Sequence, residues 1–277
     1  MTIAISQGVS AEATIGSNTP TTLTAGINTG ATGSSFLIVT CEYSASLTTV
    51  TDTFSNSYSL LTSQVTGSRL LSVYLCTNGS GGTAHKPTLT KSAGDVTACC
   101  FGEVTGGATT SLTDGTAGTA LDSSSPFNAT VTTTNPVDLV ITAGSCDGAS
   151  NPVTYTPGSG FTLHSTMSFT NGANSDSIGI MYQRVTSTGT YGGNFTTSSG
   201  TNTAVITFAL KEFAGVNTTI TPPVGSDTVS GNTPTVTSGI NTVIQTFVAR
   251  HGSGILEPDR RLVRPDKRIF LPYRKAA

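Results

Sequence analysis

The chain has 277 residues, of which 53 are Thr and 31 Gly, and only 10% are charged, against about 25% in a typical domain. That balance excludes a highly charged disordered chain and disfavours helices, because Thr is β-branched and suits a pleated strand while Gly, Ser and Asn supply turns. The net charge of −2 conceals an asymmetry: residues 1–249 hold 5 Lys/Arg and 12 Asp/Glu, whereas residues 250–277 hold 8 Lys/Arg and 3 Asp/Glu. An acidic body with a basic tail predicts that the tail docks onto something acidic, a neighbouring copy of the same body included.

The segment Met1–Gln7 has no basic region followed by an apolar run, so no signal peptide is expected. No run approaches the ~18 apolar residues of a membrane span. The expectation is a protein made in a cytosol, soluble, without membrane partners.

In chain order, Phe36–Glu42 is a compact apolar run that reads as a buried strand, followed by Leu47–Phe54, Tyr58–Val65 and Arg69–Cys76. The Asn78–Gly82 stretch reads as a turn, and Pro87–Lys91 and Val96–Val104 complete a first set of strands. Residues 105–125, rich in Gly, Thr, Ser and Asp, predict a long surface loop. Further strands are expected at Ala129–Thr134, Val137–Ala143, Thr162–Phe169, Ile178–Thr186, Tyr191–Thr197 and Ala204–Phe213. No segment sustains a 3.6-residue period with caps, so almost no helix is predicted. The expected fold is all-β, a β-sandwich or jelly-roll-like body with an extended C-terminal arm. Residues 1–216 would form the body, 217–249 a linker with room for extra strands, and 250–277 the arm. A dozen-residue echo links Asn18–Thr29 to Asn232–Thr242, which is consistent with two strands in equivalent roles.

Five cysteines, Cys41, Cys76, Cys99, Cys100 and Cys146, form no C-x-x-C pair and sit in or beside apolar runs. They read as buried reduced thiols, with Cys99 and Cys100 on opposite faces of one strand.

The arm carries the most specific pattern. Pro258-Asp-Arg-Arg-Leu-Val-Arg264 is followed by Pro265-Asp-Lys-Arg-Ile-Phe-Leu271 and by a truncated Pro272-Tyr-Arg-Lys275. A proline at each repeat forbids a continuous helix and holds its predecessor extended. From Pro258 to Lys275 such an arm spans on the order of 55–60 Å. It cannot bury Leu262, Val263, Ile269 and Phe270 against itself, so those pairs need a partner surface, with strand addition to a sheet edge as one mode. Together with Arg260, Arg261, Arg264, Lys267, Arg268 and Tyr273 they form the candidate partner-binding set. The interleaved Asp259 and Asp266 favour docking to protein over nucleic acid.

Catalytic signatures do not emerge. His85, His164 and His251 are scattered, and the acidic residues Asp114, Asp122, Asp147 and Asp176 fall singly in expected loops, where a turn-forming role accounts for them. No nucleophile elbow or phosphate loop is present. The reading is a non-enzyme with no cofactor and no metal.

The order Phe36–Glu42, Val50–Phe54, Arg69–Cys76, Val96–Val104, Gly160-Phe161, Gly189-Thr-Tyr191 and Ala204–Phe213 resembles β-sandwich modules of tailed-bacteriophage structural proteins. The proline-acidic-basic-apolar repeat resembles C-terminal repeats of small phage proteins encoded near head genes. The resemblance implies a virion accessory protein of the capsid decoration (cement) or head-fibre type. It would be a homo-oligomer bound to the major capsid protein or to neighbouring copies of itself, with no catalytic residues to carry over. The alternative is a carbohydrate- or receptor-binding module of a tail fibre or spike, in which Tyr43, Tyr58, Tyr155 and Tyr191 would stack on a sugar ring. The absence of Trp weighs against it.

Overall fold

The computed structural model describes residues 2–213 except 31, 44–45, 68, 148–152, 172–173 and 199–200, together with 250–251 and 254–255. The chain divides into a unit spanning Met1–Val216 and a second spanning Asn217–Ala277. Among the described residues there is no helix and all the strand ladders are antiparallel, so the protein is all-β.

The first hundred residues supply β1 (Ala4–Ile15), β2 (Thr21–Thr22), β3 (Thr32–Tyr43), β4 (Leu47–Asp52), β5 (Ser59–Thr66), β6 (Arg69–Ser80), β7 (Pro87–Lys91) and β8 (Asp95–Thr105). The next hundred supply β9 (Thr113–Asp122), β10 (Thr130–Thr133), β11 (Asp138–Asp147), β12 (Tyr155–Pro157), β13 (Thr162–Asn171), β14 (Asn174–Val185), β15 (Gly189–Gly192), β16 (Phe195–Thr197) and β17 (Thr201–Lys211). The two large sheets have the orders β1-β8-β3-β6-β5 and β9-β17-β11-β14-β13. Each half therefore places its first long strand at an edge beside its last, and the remaining strands follow in the same relative order. The small sheets match as well: β2-β7-β4 in the first half corresponds to the β10-β15 and β12-β16 pairs in the second, where one strand is split in two. The body is an internal structural repeat of a single β module.

Strand alternation explains how the layers stack, because successive side chains leave opposite faces of a sheet. Leu37, Val39, Leu71 and Val73 meet Leu139, Ile141, Ile206 and Phe208 between the two large sheets. The outward residues of the first sheet, Phe36, Ile38, Tyr74 and Phe101, pack under β2, β4 and β7 with Leu23, Val50 and Leu89. In the second half, Met181 and Val205 pack with Phe127, Tyr155 and Phe195. Each large sheet is thus apolar on both faces, which is why its central strands read as continuous apolar runs. Cys99 and Cys100 go to the outer and inner cores respectively, and all five cysteines are buried.

The large sheets also meet at their edges. Edge strand β1 lies against β13, where the Ser10 hydroxyl donates to the Thr166 carbonyl (2.9 Å), and β5 lies against β9 at the opposite side. These seams are equivalent under the repeat, since each joins a first strand to the last-in-order strand of the other half.

One expected loop is a strand. Residues 113–122 pair with β17 along most of their length. Their polar composition hides this, because the ladder to β17 supplies the order rather than an apolar face. Gly118 permits the approach to β10: a Cβ there would lie 1.9 Å from the Thr130 carbonyl oxygen. In the second unit, the described residues form a minimal pairing of Arg250–His251 with Gly254–Ile255.

Candidate functional site

A concavity of the first half lies over the outer face of the β5–β6 hairpin. The small sheet β2-β7-β4 roofs the outer face of the first large sheet over β6, where Tyr74 and Cys76 are buried, but it stops at β4 and leaves β5 open. Leu60 of β5 is opposite Tyr74 of β6, Ser63 opposite Ser72, and Val65 opposite Leu70, so these six share that face. The cleft between this floor and the β4 wall has a volume of about 640 Å³. Nine of its fourteen lining residues carry a hydroxyl and none carries a charge, so the surface offers neutral donors and acceptors only.

Beneath the floor, Glu42 is fully buried on β3. Its carboxylate accepts from the Thr40 hydroxyl (2.6 Å) and the Leu47 amide (2.9 Å), which ties β4 down onto the sheet. Burial pushes the Glu42 pKa up, while those bonds, Ser72 and the charge of Lys91 oppose it. Lys91 is itself fully buried and donates to the Tyr43 carbonyl (2.7 Å); burial lowers its pKa, against the pull of Glu42 and Asp95. Ser72 lies close to Glu42 and Tyr74, but its buried hydroxyl makes no hydrogen bond of good geometry to either.

At the other end of β4, Asp52 accepts from His85 Nε2 (2.6 Å), the Tyr58 hydroxyl (2.7 Å) and both the backbone and side-chain nitrogens of Asn56. His85 Nδ1 in turn lies 3.0 Å from Thr29 Oγ1. The hydroxyl–imidazole–carboxylate order resembles a nucleophilic triad, yet His85 and Asp52 are sealed from solvent and ringed by Phe36, Phe54 and Phe101. Its evident work is structural: it holds the Asp52–Tyr58 turn to the hairpin end at His85. Glu103 extends this belt by accepting from the Gly30 amide and the hydroxyls of Ser34 and Ser6.

In the second half, Asp114 accepts from the Thr134 amide and hydroxyl and from the Asn135 amide. Asp138 takes a long bond from Asn135 Nδ2 (3.2 Å), and its second oxygen is buried beside Asp114 without a donor. Burial first, and the neighbouring Asp114 charge with it, push the Asp138 pKa up to about 6.

Several expected placements need correction. Asp114, Asp122, Asp147 and Asp176 lie in strands rather than loops, because β9 and the ends of β11 and β14 extend further than the apolar runs suggest. Asp122 still acts as a turn acceptor, binding the Asn128 amide. Tyr43 and Tyr155 are 4% and 5% exposed, so neither presents a ring to a sugar; each fills a core, Tyr155 against Gly179 of β14. Tyr58 does line the cleft, and Tyr191 packs partly buried beside Val131 and Val140. The arm residues Arg260, Arg261, Leu262, Val263, Arg264, Lys267, Arg268, Ile269, Phe270 and Tyr273 lie outside the described residues. Sequence reasoning did not find the cleft or the His85–Asp52 pair, which only strand pairing brings together.

No family model, curated protein or solved structure matches this chain.

Proposed function

We propose that the protein is a structural component of a phage virion that binds the capsid surface and stabilises the head, with the C-terminal arm docking between subunits. The observation that carries this reading is the arm itself: proline-spaced units with basic and apolar pairs, attached to a body of opposite charge. Such a segment gains by ordering only where another surface buries Leu262, Val263, Ile269 and Phe270 and pairs with its arginines. The acidic body of a neighbouring copy provides the charge complement, and the major capsid protein is the other partner. A doubled β-sandwich with fully occupied cores suits a rigid surface module of this kind.

The test is occupancy. Chains lacking residues 250–277 are added to undecorated heads and pelleted with them. Loss of co-sedimentation, with the body still folded by circular dichroism, is the expected result; undiminished occupancy rejects the arm as the docking element.

A further inference from the structure

We propose that the cleft over β5 and β6 is a binding site for a neutral saccharide. The proposal rests on the described body alone, so it stands apart from the role assigned to the arm.

The lining sets the chemistry. At about 640 Å³ the cleft is of ligand size. A charged ligand would lose hydration there with no ion to replace it, since no lining side chain is charged. Ser and Thr hydroxyls both donate and accept, which matches a ligand that presents many hydroxyls of its own. Between them, Leu60 and Leu70 offer apolar surface to the C–H faces of a sugar ring. Leu60 is 54% exposed and lines the cleft, so a ligand would remove apolar surface from water as well as satisfy hydroxyls.

Two alternatives fit less well. An added peptide strand would need a regular free edge, but both bordering edges are broken by irregularities, β4 between Leu47 and Thr49 and β5 between Leu60 and Thr62. Such bulges blunt an edge against pairing. A plain packing gap is also a poor account, because the repeat shows how this module closes the region when it needs to. In the second half, the Tyr155 ring covers β14 at Gly179, and Val153 and Phe161 pack beside it. The first half leaves its counterpart open and lines it with hydroxyls.

The experiment uses the full-length chain and saturation-transfer difference NMR with maltohexaose, cellohexaose, mannohexaose and the hexamer of N-acetylglucosamine, with hexagalacturonate as the charged control. At least one neutral hexasaccharide is expected to bind. Ser63→Trp on the floor and Thr49→Trp on the wall should each weaken it roughly tenfold, with unchanged melting temperature; Thr49 is exposed, so the second variant leaves the packing intact. The proposal is overturned if no neutral hexasaccharide binds, if hexagalacturonate binds better, or if both folded variants bind like the parent. Displacement of the sugar by a synthetic peptide of residues 258–275 would also overturn it, by making the cleft the seat of the arm.

Discussion

His85 Nε2 lies 2.6 Å from Asp52 Oδ2 with both side chains fully buried, although 33 residues separate them. The Phe36, Phe54 and Phe101 rings surround the imidazole at centroid distances of 4.5–4.9 Å. Burial alone would raise the Asp52 pKa, but the bonds from His85, Asn56 and Tyr58 outweigh it and hold it down to about 2. A carboxyl depressed on folding adds stability above its unfolded value near 3.8, and that stability is lost as pH falls through the folded value. Asp52→Ala removes one partner of a buried pair and strands the Asn56 and Phe54 amides, so it should cost about 3–5 kcal/mol. Urea unfolding at pH 7 measures this; a loss below about 1 kcal/mol would show that the pair is not the latch it resembles.

Asp138 has the opposite sign. Its folded pKa is raised to about 6 by burial and by Asp114, with Asn135 and Lys211 opposing. The stability linked to its protonated form is present below the unfolded value near 3.8 and disappears as pH rises through about 6. Asp138→Asn keeps the Asn135 contact and removes the charge, so it should stabilise the body at pH 7 by on the order of 2 kcal/mol and do little at pH 4. Unfolding midpoints measured from pH 4 to 7 would converge at the acid end; parallel curves for parent and variant would disprove the coupling.

The central strands were legible because they carry uninterrupted apolar runs, as Phe36–Val39 and Leu139–Ile141 do, and these are the strands buried on both faces. Strand β9 was not, since Thr113–Asp122 has almost no apolar signal and is ordered by its ladder to β17. The internal repeat was invisible for a related reason. The two halves share strand order and layer pattern, yet β4 is six residues and its counterpart β12 three, and the one short likeness, Leu37-Ile-Val-Thr40 against Leu139-Val-Ile-Thr142, is too common a strand pattern to signal a repeat. The echo of Asn18–Thr29 falls at 232–242, outside the described residues, and so is not the repeat the fold reveals. The cleft depends on where β4 stops short of β5, a relation between elements that no local pattern encodes.

The five cysteines give a prediction about reactivity. All are buried, and burial pushes the thiols of Cys76 and Cys100 up to about 11 and 12. Thiolate, the reactive form, is therefore scarce at neutral pH as well as shielded. Dithionitrobenzoate should find almost no fast-reacting thiol in the native chain and all five after denaturation. Stoichiometric reaction without denaturant would mean that the cores open far more readily than their packing implies.

The β1–β13 seam can be tested through Gly8 and His164. A Cβ on Gly8 would fall 1.9 Å from His164 Nε2, so the imidazole occupies the space that the missing side chain leaves. That nitrogen is buried without a hydrogen-bond partner, and burial lowers the His164 pKa, so shape and not polarity holds the ring there. Gly8→Ala should cost about 1–3 kcal/mol through forced displacement of the ring or of β1. His164→Ala opens room for the new methyl, so the double variant should be more stable than the two single losses predict, by about 1 kcal/mol or more. Strict additivity in urea unfolding would place the strain of Gly8→Ala in the strand backbone instead of against His164, and the two large sheets would then owe nothing at this edge to the fit between glycine and imidazole.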